Sequence, residues 1–271
     1  MAIEQEVAAH YGRDDLVQTV LSALTVSGAD VDHLTTADLA GADEFHLGGR
    51  AATVWFATAL AFPPDARVLD VGSGLGGPAR YFVEEHQLRV VGVDLTGSYV
   101  EVATELSQRV GLAERATFSQ GSALDLPFRD GSFDGAYTVH VAMNIADKQR
   151  LFAEARRVLR PGGRFGILDL MRTSEHELSY PMPWADTAAT SFVETLSSYR
   201  TWLAAAGFAV EREERLSDLV LQLRREAKAV APAQLGLQTL LGPELPERIG
   251  RAMSAVKAGT IAPVGMFATA V

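Results

Sequence analysis

Between residues 66 and 170, short apolar runs alternate with longer amphipathic stretches, and that alternation limits the fold more than any other feature. "ARVLDVG" (66–72), "RVVGVDL" (89–95), "ATFSQGS" (116–122), "FDGAYTVHV" (133–141) and "RFGILDL" (164–170) read as strands. "GGPARYFVEEHQ" (76–87), "YVEVATELSQRVG" (99–111) and "KQRLFAEARRVL" (148–159) read as helices between them. Strands separated by single helices make βαβ units, which force a parallel sheet covered on both faces. "TWLAAAGFAVEREER" adds a helix and a sixth strand, and "PVGMFATAV" a seventh.

The remaining segments frame this core. Residues 1–61 read as a helical cap: Leu16, Val17, Val20, Leu21 and Leu24 form an apolar stripe that ends at Gly28, and a second helix runs from Gly48-Gly49 to Pro63-Pro64. Residues 171–198 and 216–260 interrupt the alternation, and interruptions that long cover functional sites more often than they merely connect elements. One domain over 1–271 is expected, with a core at 62–170 and two substrate-side insertions. Leu235, Leu237, Leu240 and Leu241 in the second insertion would either shelter an apolar ligand or form the buried face of a lid helix.

Charge and composition exclude several classes. The net charge of −10 disfavours a nucleic-acid partner, whose affinity comes mainly from clustered Lys and Arg. With 0 cysteines there are no disulfides, thiolate metal ligands or thiol nucleophiles. "MAIEQEVAAHYGRDDL" lacks a basic-then-apolar signal layout, and no apolar run approaches the ~18 residues of a membrane span, so a cytoplasmic protein is expected.

The loop "VLDVGSGLGG" (68–77) follows the first strand, where an open α/β sheet binds ligands. Gly72, Gly74, Gly76 and Gly77 allow sharp turns and close approach. Asp94 ends the second strand, where a carboxylate can accept from both ribose hydroxyls. The same feature serves a dinucleotide or another adenosine ligand. Asp70 and Asp94 could also be plain strand-end turn formers.

Four stretches taken together, "VLDVGSGLGG", "VVGVDLT", "GSALDLPFRDGSFD" and "RRVLRPGGRFGILDL", resemble the class I S-adenosylmethionine-dependent methyltransferases. The resemblance implies a Rossmann-like doubly wound seven-stranded sheet, mostly parallel with the last strand antiparallel. It implies that Gly72, Gly74, Gly76 and Gly77 pack against the methionine part of the cofactor, with Asp70 and Ser73 also among its binding residues. Asp94 would take the ribose hydroxyls and Leu95 would abut the adenine, with Gly121, Ser122, Ala123 and Leu124 along its edge. Many members carry an acid where Ser122 stands, so the adenine contact departs from the family pattern.

"HYGRDDL", "DEFHLGGRAAT", "TVHVAMNI" and "SYPMPW" resemble the sarcosine/dimethylglycine N-methyltransferase group of small-molecule enzymes. That resemblance implies methyl transfer to a small acceptor, foremost an amine nitrogen. O- or C-methylation of a secondary metabolite or an apolar sterol- or quinone-like compound is the alternative. His140, at the end of the fourth strand, is the candidate base or acceptor orienter and also a cofactor neighbour. Tyr11 and His46 join it as catalytic candidates, and Met143, Asn144, Met182 and Trp184 as pocket residues.

No metal is expected, since His46, His86, His140 and His176 are scattered and the fourth strand offers His140 and Asn144 in place of acids. The expected partner is a small molecule, not nucleic acid or a membrane, and self-association is left open. A nicotinamide-dependent oxidoreductase and a non-catalytic or macromolecule-directed relative are the competing readings; the first lacks an evident hydride-transfer set, the second a basic face.

Overall fold

The computed structural model describes residues 4–7, 15–44, 46–229, 242 and 244–271. Tyr11, Leu235, Leu237, Leu240 and Leu241 lie outside the described residues.

Valine-rich runs become the central strands, since β-branched side chains suit a sheet buried on both faces. The first half of the sheet holds β1 (Arg67–Val71), β2 (Arg89–Asp94) and β3 (Ala116–Gln120), and the second β4 (Phe133–Val139), β5 (Leu159–Arg172), β6 (Phe208–Arg215) and β7 (Ile261–Ala270). Their order is β3-β2-β1-β4-β5-β7-β6. The pairings from β3 to β5 are parallel, and β7 runs antiparallel to both β5 and β6. The seven strands and the reversed last strand match the expectation. β5 begins earlier than the sequence indicates: Leu159 pairs with Phe133, and a register shift before Gly135 absorbs the Pro161-Gly162-Gly163 turn.

The helices are α1 (Leu16–Val26), α2 (Thr36–Asp43), α3 (Gly49–Leu60), α4 (Gly77–His86) and α5 (Gly97–Arg109), followed by α6 (Lys148–Val158), α7 (Leu196–Ala205), α8 (Ser217–Ala229) and α9 (Leu245–Lys257). One sheet face packs Leu69, Ala136 and Ile167 against Phe152 of α6 and Leu203 of α7. The other packs Val68, Tyr137 and Leu168 against Phe56 of α3 and Phe82 of α4. Each buried side chain of this kind contributes roughly 1.5–3 kcal/mol. α2 is an addition to the sequence reading, because it has almost no apolar stripe. It is set instead by a capping box: Thr35 accepts from the Asp38 amide, while Asp38 accepts from the Thr35 amide at 2.8 Å.

The chain lays down β1, β2 and β3 outward in one direction, then returns to place β4 beside β1. That reversal opens a crevice at the carboxyl ends of β1 and β4. No helix of the described residues is long and apolar enough to cross a membrane.

Candidate active site

A cavity of about 530 Å³ occupies that crevice. At one end stand Gly72, Gly74, Asp94 and Leu95, with Gly121, Ser122, Ala123 and Leu124 along one side. His46, His140, Met143, Asn144 and Trp184 complete the other end. Most residues expected at the site, drawn from seven separate elements and loops, therefore meet around one space.

Asp94 ends β2 with both oxygens anchored. Oδ1 accepts from the Thr96 amide at 2.9 Å and Oδ2 from the Gly74 amide at 2.8 Å. Burial pushes its carboxyl up, and those two amide bonds oppose the shift. A carboxylate oxygen can accept more than one hydrogen bond, so both keep capacity toward the cavity. Ser122 Oγ accepts from the Leu124 amide at 3.0 Å and donates to Glu4. Glu4 itself lines the cavity, so the N-terminal segment brings a carboxylate to the position where the sequence has only serine.

Five residues expected at the cofactor or acceptor do not line the cavity. Asp70 projects to the α3–α4 face of the sheet, buried, where it accepts from Tyr137 Oη at 3.0 Å. Burial there raises its carboxyl to about 8. Ser73 turns toward β2: a Cβ on Gly92 would meet its Oγ at 2.7 Å. Gly76 and Gly77 make room for protein atoms. A Cβ on Gly76 would stand 2.7 Å from Phe118 Cζ, and one on Gly77 would stand 2.4 Å from the Asp43 carbonyl oxygen. Met182 packs behind the wall in a cluster with Leu178, Trp184 and Val256.

His140 follows β4 with φ of 54°, a conformation uncommon for a side chain with a Cβ, while its amide donates to the Leu168 carbonyl at 2.7 Å. Its ring is buried and Nε2 has no hydrogen-bond partner among the described residues. Burial first, then the adjacent His46, hold its imidazole well below the usual histidine range, so it is neutral near pH 7. The rings of His46 and His140 stand 5.6 Å apart.

The sequence reading missed the support behind His46. Glu44 Oε2 lies 2.8 Å from His46 Nε2 and accepts from Thr53 Oγ1 at 2.8 Å. Arg50 Nε lies 2.8 Å from Glu44 Oε1, an ion pair whose geometry falls short of a directed hydrogen bond. The glutamate was in view as the second residue of "DEFHLGG", yet nothing local marks it as buried. Leu47, Leu170 and Ile249 were also missed, and all three line the cavity beside Trp184. Asp169, within β5, is fully buried and accepts from Tyr199 Oη at 2.6 Å, away from the cavity. Among the described residues no three His, Asp or Glu are grouped as a metal site would require.

The sequence family described as methyltransferase domain matches residues 69–167, the segment that carries the glycine loop, Asp94 and His140. Over that segment the chain is similar to a methyltransferase domain, in line with the class I resemblance. A sterol 24-C-methyltransferase of Aspergillus fumigatus is 36% identical over 115 residues, which are 42% of this chain and 30% of that enzyme. The chain thus spans about a third of the length of the sterol methyltransferases it matches. Methyltransferase GfsG of Streptomyces halstedii is 32% identical over 66% of this chain and 64% of its own. A structure assigned to a sarcosine dimethylglycine methyltransferase of Galdieria sulphuraria superposes with a TM-score of 0.63 at 21% identity, covering 81% of this chain and 84% of that one. At that identity it supports the fold.

S-adenosylmethionine is the cofactor that this resemblance implies, and the cavity fits it. No Lys or Arg is among the described lining residues, as suits a ligand without phosphates. The Asp94 carboxylate suits a ribose diol.

Proposed function

We propose that the protein transfers the methyl group of S-adenosylmethionine to a hydroxyl oxygen of a neutral, largely apolar small molecule. The observation that carries this reading is the wall at the histidine end of the cavity. Leu47, Met143, Leu170, Trp184 and Ile249 supply apolar surface, and His46, His140 and Asn144 the nearby polar atoms. A zwitterionic acceptor of the sarcosine kind would bring a carboxylate into this space, where no Lys or Arg is among the described lining residues. Burying such a charge unpaired is costly, so the amine acceptor foremost in the sequence reading gives way to its alternative. The match to sterol 24-C-methyltransferases, whose name gives an apolar acceptor methylated at carbon, supports the apolar acceptor, while the oxygen rests on the polar atoms of His46, His140 and Asn144.

Bound S-adenosylmethionine supplies a methyl group on a positively charged sulfur. Asp94 holds the ribose, Gly72 and Gly74 let the backbone approach the methionine part, and Glu4 stands at the adenine edge. The apolar wall excludes water and aligns the acceptor oxygen with the methyl carbon. Such alignment is worth up to roughly 7–11 kcal/mol. The new O–C bond forms as the C–S bond breaks, with its electron pair going to sulfur; the acceptor's proton is released. Residues 171–198 and the described part of 216–260 serve as substrate-side covers within one domain; Trp184 from the first and Ile249 from the second both line the cavity.

A screen with methyl-labelled S-adenosylmethionine tests this reading, using apolar phenols, hydroxylated polyketides and sterols beside sarcosine, dimethylglycine and phosphoethanolamine. Labelled methyl ethers are the expected products. Turnover confined to the amino-acid amines would overturn the acceptor assignment.

A further inference from the structure

We propose that His46 is the proton acceptor of this site and Glu44 its positioning residue, with His140 as a neutral hydrogen-bonding partner across the cavity. The assignment rests on reading the cavity as a methyl-transfer site.

The hydrogen bonds around His46 decide which nitrogen carries its proton. The Thr53 hydroxyl donates its one hydrogen to Glu44 Oε2, so toward His46 Nε2, 3.0 Å away, it can only accept. Glu44, ion-paired with Arg50, is also an acceptor. Both neighbours therefore require a proton on Nε2, which leaves Nδ1 with a lone pair. Nδ1 is buried and has no hydrogen-bond partner among the described residues, and the His46 side chain is 3% exposed. An acceptor hydroxyl that donates to Nδ1 would satisfy it, and a proton taken up there creates positive charge 2.8 Å from an anchored carboxylate. This is the arrangement by which a carboxylate orients an imidazole and stabilises its cation.

His140 has no such support. Among the described residues no carboxylate is bonded to its ring, and an imidazolium at this buried site would lie beside His46. Its Nε2 can accept a hydrogen bond from the same hydroxyl or from a water, but the cost of burying a charge keeps the proton elsewhere. In the proposed step, the acceptor O–H bond breaks, its proton moves to His46 Nδ1, and the oxygen takes the methyl carbon. The imidazolium later returns its proton to solvent. One proton is released for each methyl transferred.

The test uses protein labelled with [15N]histidine and saturated with S-adenosylhomocysteine. Phenol is the hydroxyl probe, and toluene matches its shape without the O–H. The expected spectrum shows the His46 proton on Nε2, strongly deshielded by the carboxylate, and an Nδ1 resonance that moves with phenol but not with toluene. Glu44→Gln loses the deshielded signal. With the hydroxyl acceptor returned by the screen, Glu44→Gln lowers kcat by ~100-fold, a general-base effect, and leaves KM for S-adenosylmethionine within about 2-fold. Glu44→Asp, which keeps the carboxylate, recovers part of kcat. A proton on Nδ1, an Nδ1 resonance unmoved by phenol, or an unchanged kcat in Glu44→Gln would each overturn the assignment. If the screen returns only amines, the acceptor reading fails, while the spectra still decide the roles of Glu44 and His46.

Discussion

Asp43 at the end of α2 and Arg80 in α4 form a wholly buried ion pair, with Nη2 2.7 Å from Oδ2. Arg80 also donates to the glycine loop and to α5. Nη2 also donates to the Leu75 carbonyl at 2.5 Å, and Nη1 to the Ala103 carbonyl at 3.2 Å and Ser107 Oγ at 3.1 Å. One guanidinium thus ties the N-terminal cap, the glycine loop and α5 together.

Asp43→Ala leaves that guanidinium buried without its anion. Removing one partner of a buried pair costs about 3–5 kcal/mol. A thermal melt should show Tm lowered by roughly 10 °C for a chain of this size. Affinity for S-adenosylhomocysteine should fall as well, because the Leu75 carbonyl loses its fixed donor. An unchanged melt would show that the pair is dispensable.

Asp94→Ala removes the carboxylate that anchors the glycine loop and faces the ribose position. Hydrogen bonds to a charged group contribute about 1.5–3 kcal/mol, so S-adenosylhomocysteine should bind ~10–100-fold more weakly by calorimetry. Wild-type affinity in this variant would remove Asp94 from the cofactor site.

Gly72 is at φ of 78°, and a Cβ there would lie 2.3 Å from Val141 Cγ2. Gly72→Ala carries both a clash and a strained backbone, and should lower Tm and cofactor affinity together. Adding Val141→Ala relieves the clash but not the strain, so the double variant should recover only part of the loss. Full recovery in the double variant would mean that the backbone conformation costs nothing.

Burial raises the carboxyls of Asp70 to about 8, and of Asp43 and Asp169 to about 6 each. The folded state therefore holds protons that the unfolded chain has released above its ordinary value of 3.8. Their contribution to stability is fully present below that value. It is lost as pH rises through about 6 for Asp43 and Asp169 and about 8 for Asp70. Urea unfolding should show stability falling between pH 5 and pH 8, with a slope per proton of at most about 1.4 kcal/mol per pH unit. Asp70→Asn should flatten the part of that fall between pH 6 and pH 8. The same slope in wild type and variant would show Asp70 ionised throughout.

The sheet, its strand count and the place of Asp94 were legible in the sequence because each is written in a local pattern. A valine-rich run bounded by glycine or proline makes a strand, and the acid that ends it lands at the ligand edge of a parallel sheet. α2 carried its own local signal in Thr35 and Asp38, although it has almost no apolar stripe. The glycine loop was only half legible. Gly72 and Gly74 meet the cavity, whereas Gly76 and Gly77 are required by Phe118 and Asp43, which lie outside the loop.

By itself, the sequence determined a βαβ sheet with its ligand edge at the glycine loop, because periodicity and turn chemistry act over a few residues at a time. Only the tertiary structure decided that Asp70 serves Tyr137, that His46 stands against His140, and that Glu44, Thr53 and Arg50 form a buried set behind His46. Those relationships depend on burial and on which elements the topology sets side by side. Glu44 is what separates the two buried histidines chemically: His46 is backed by its carboxylate, and among the described residues no carboxylate is bonded to the His140 ring.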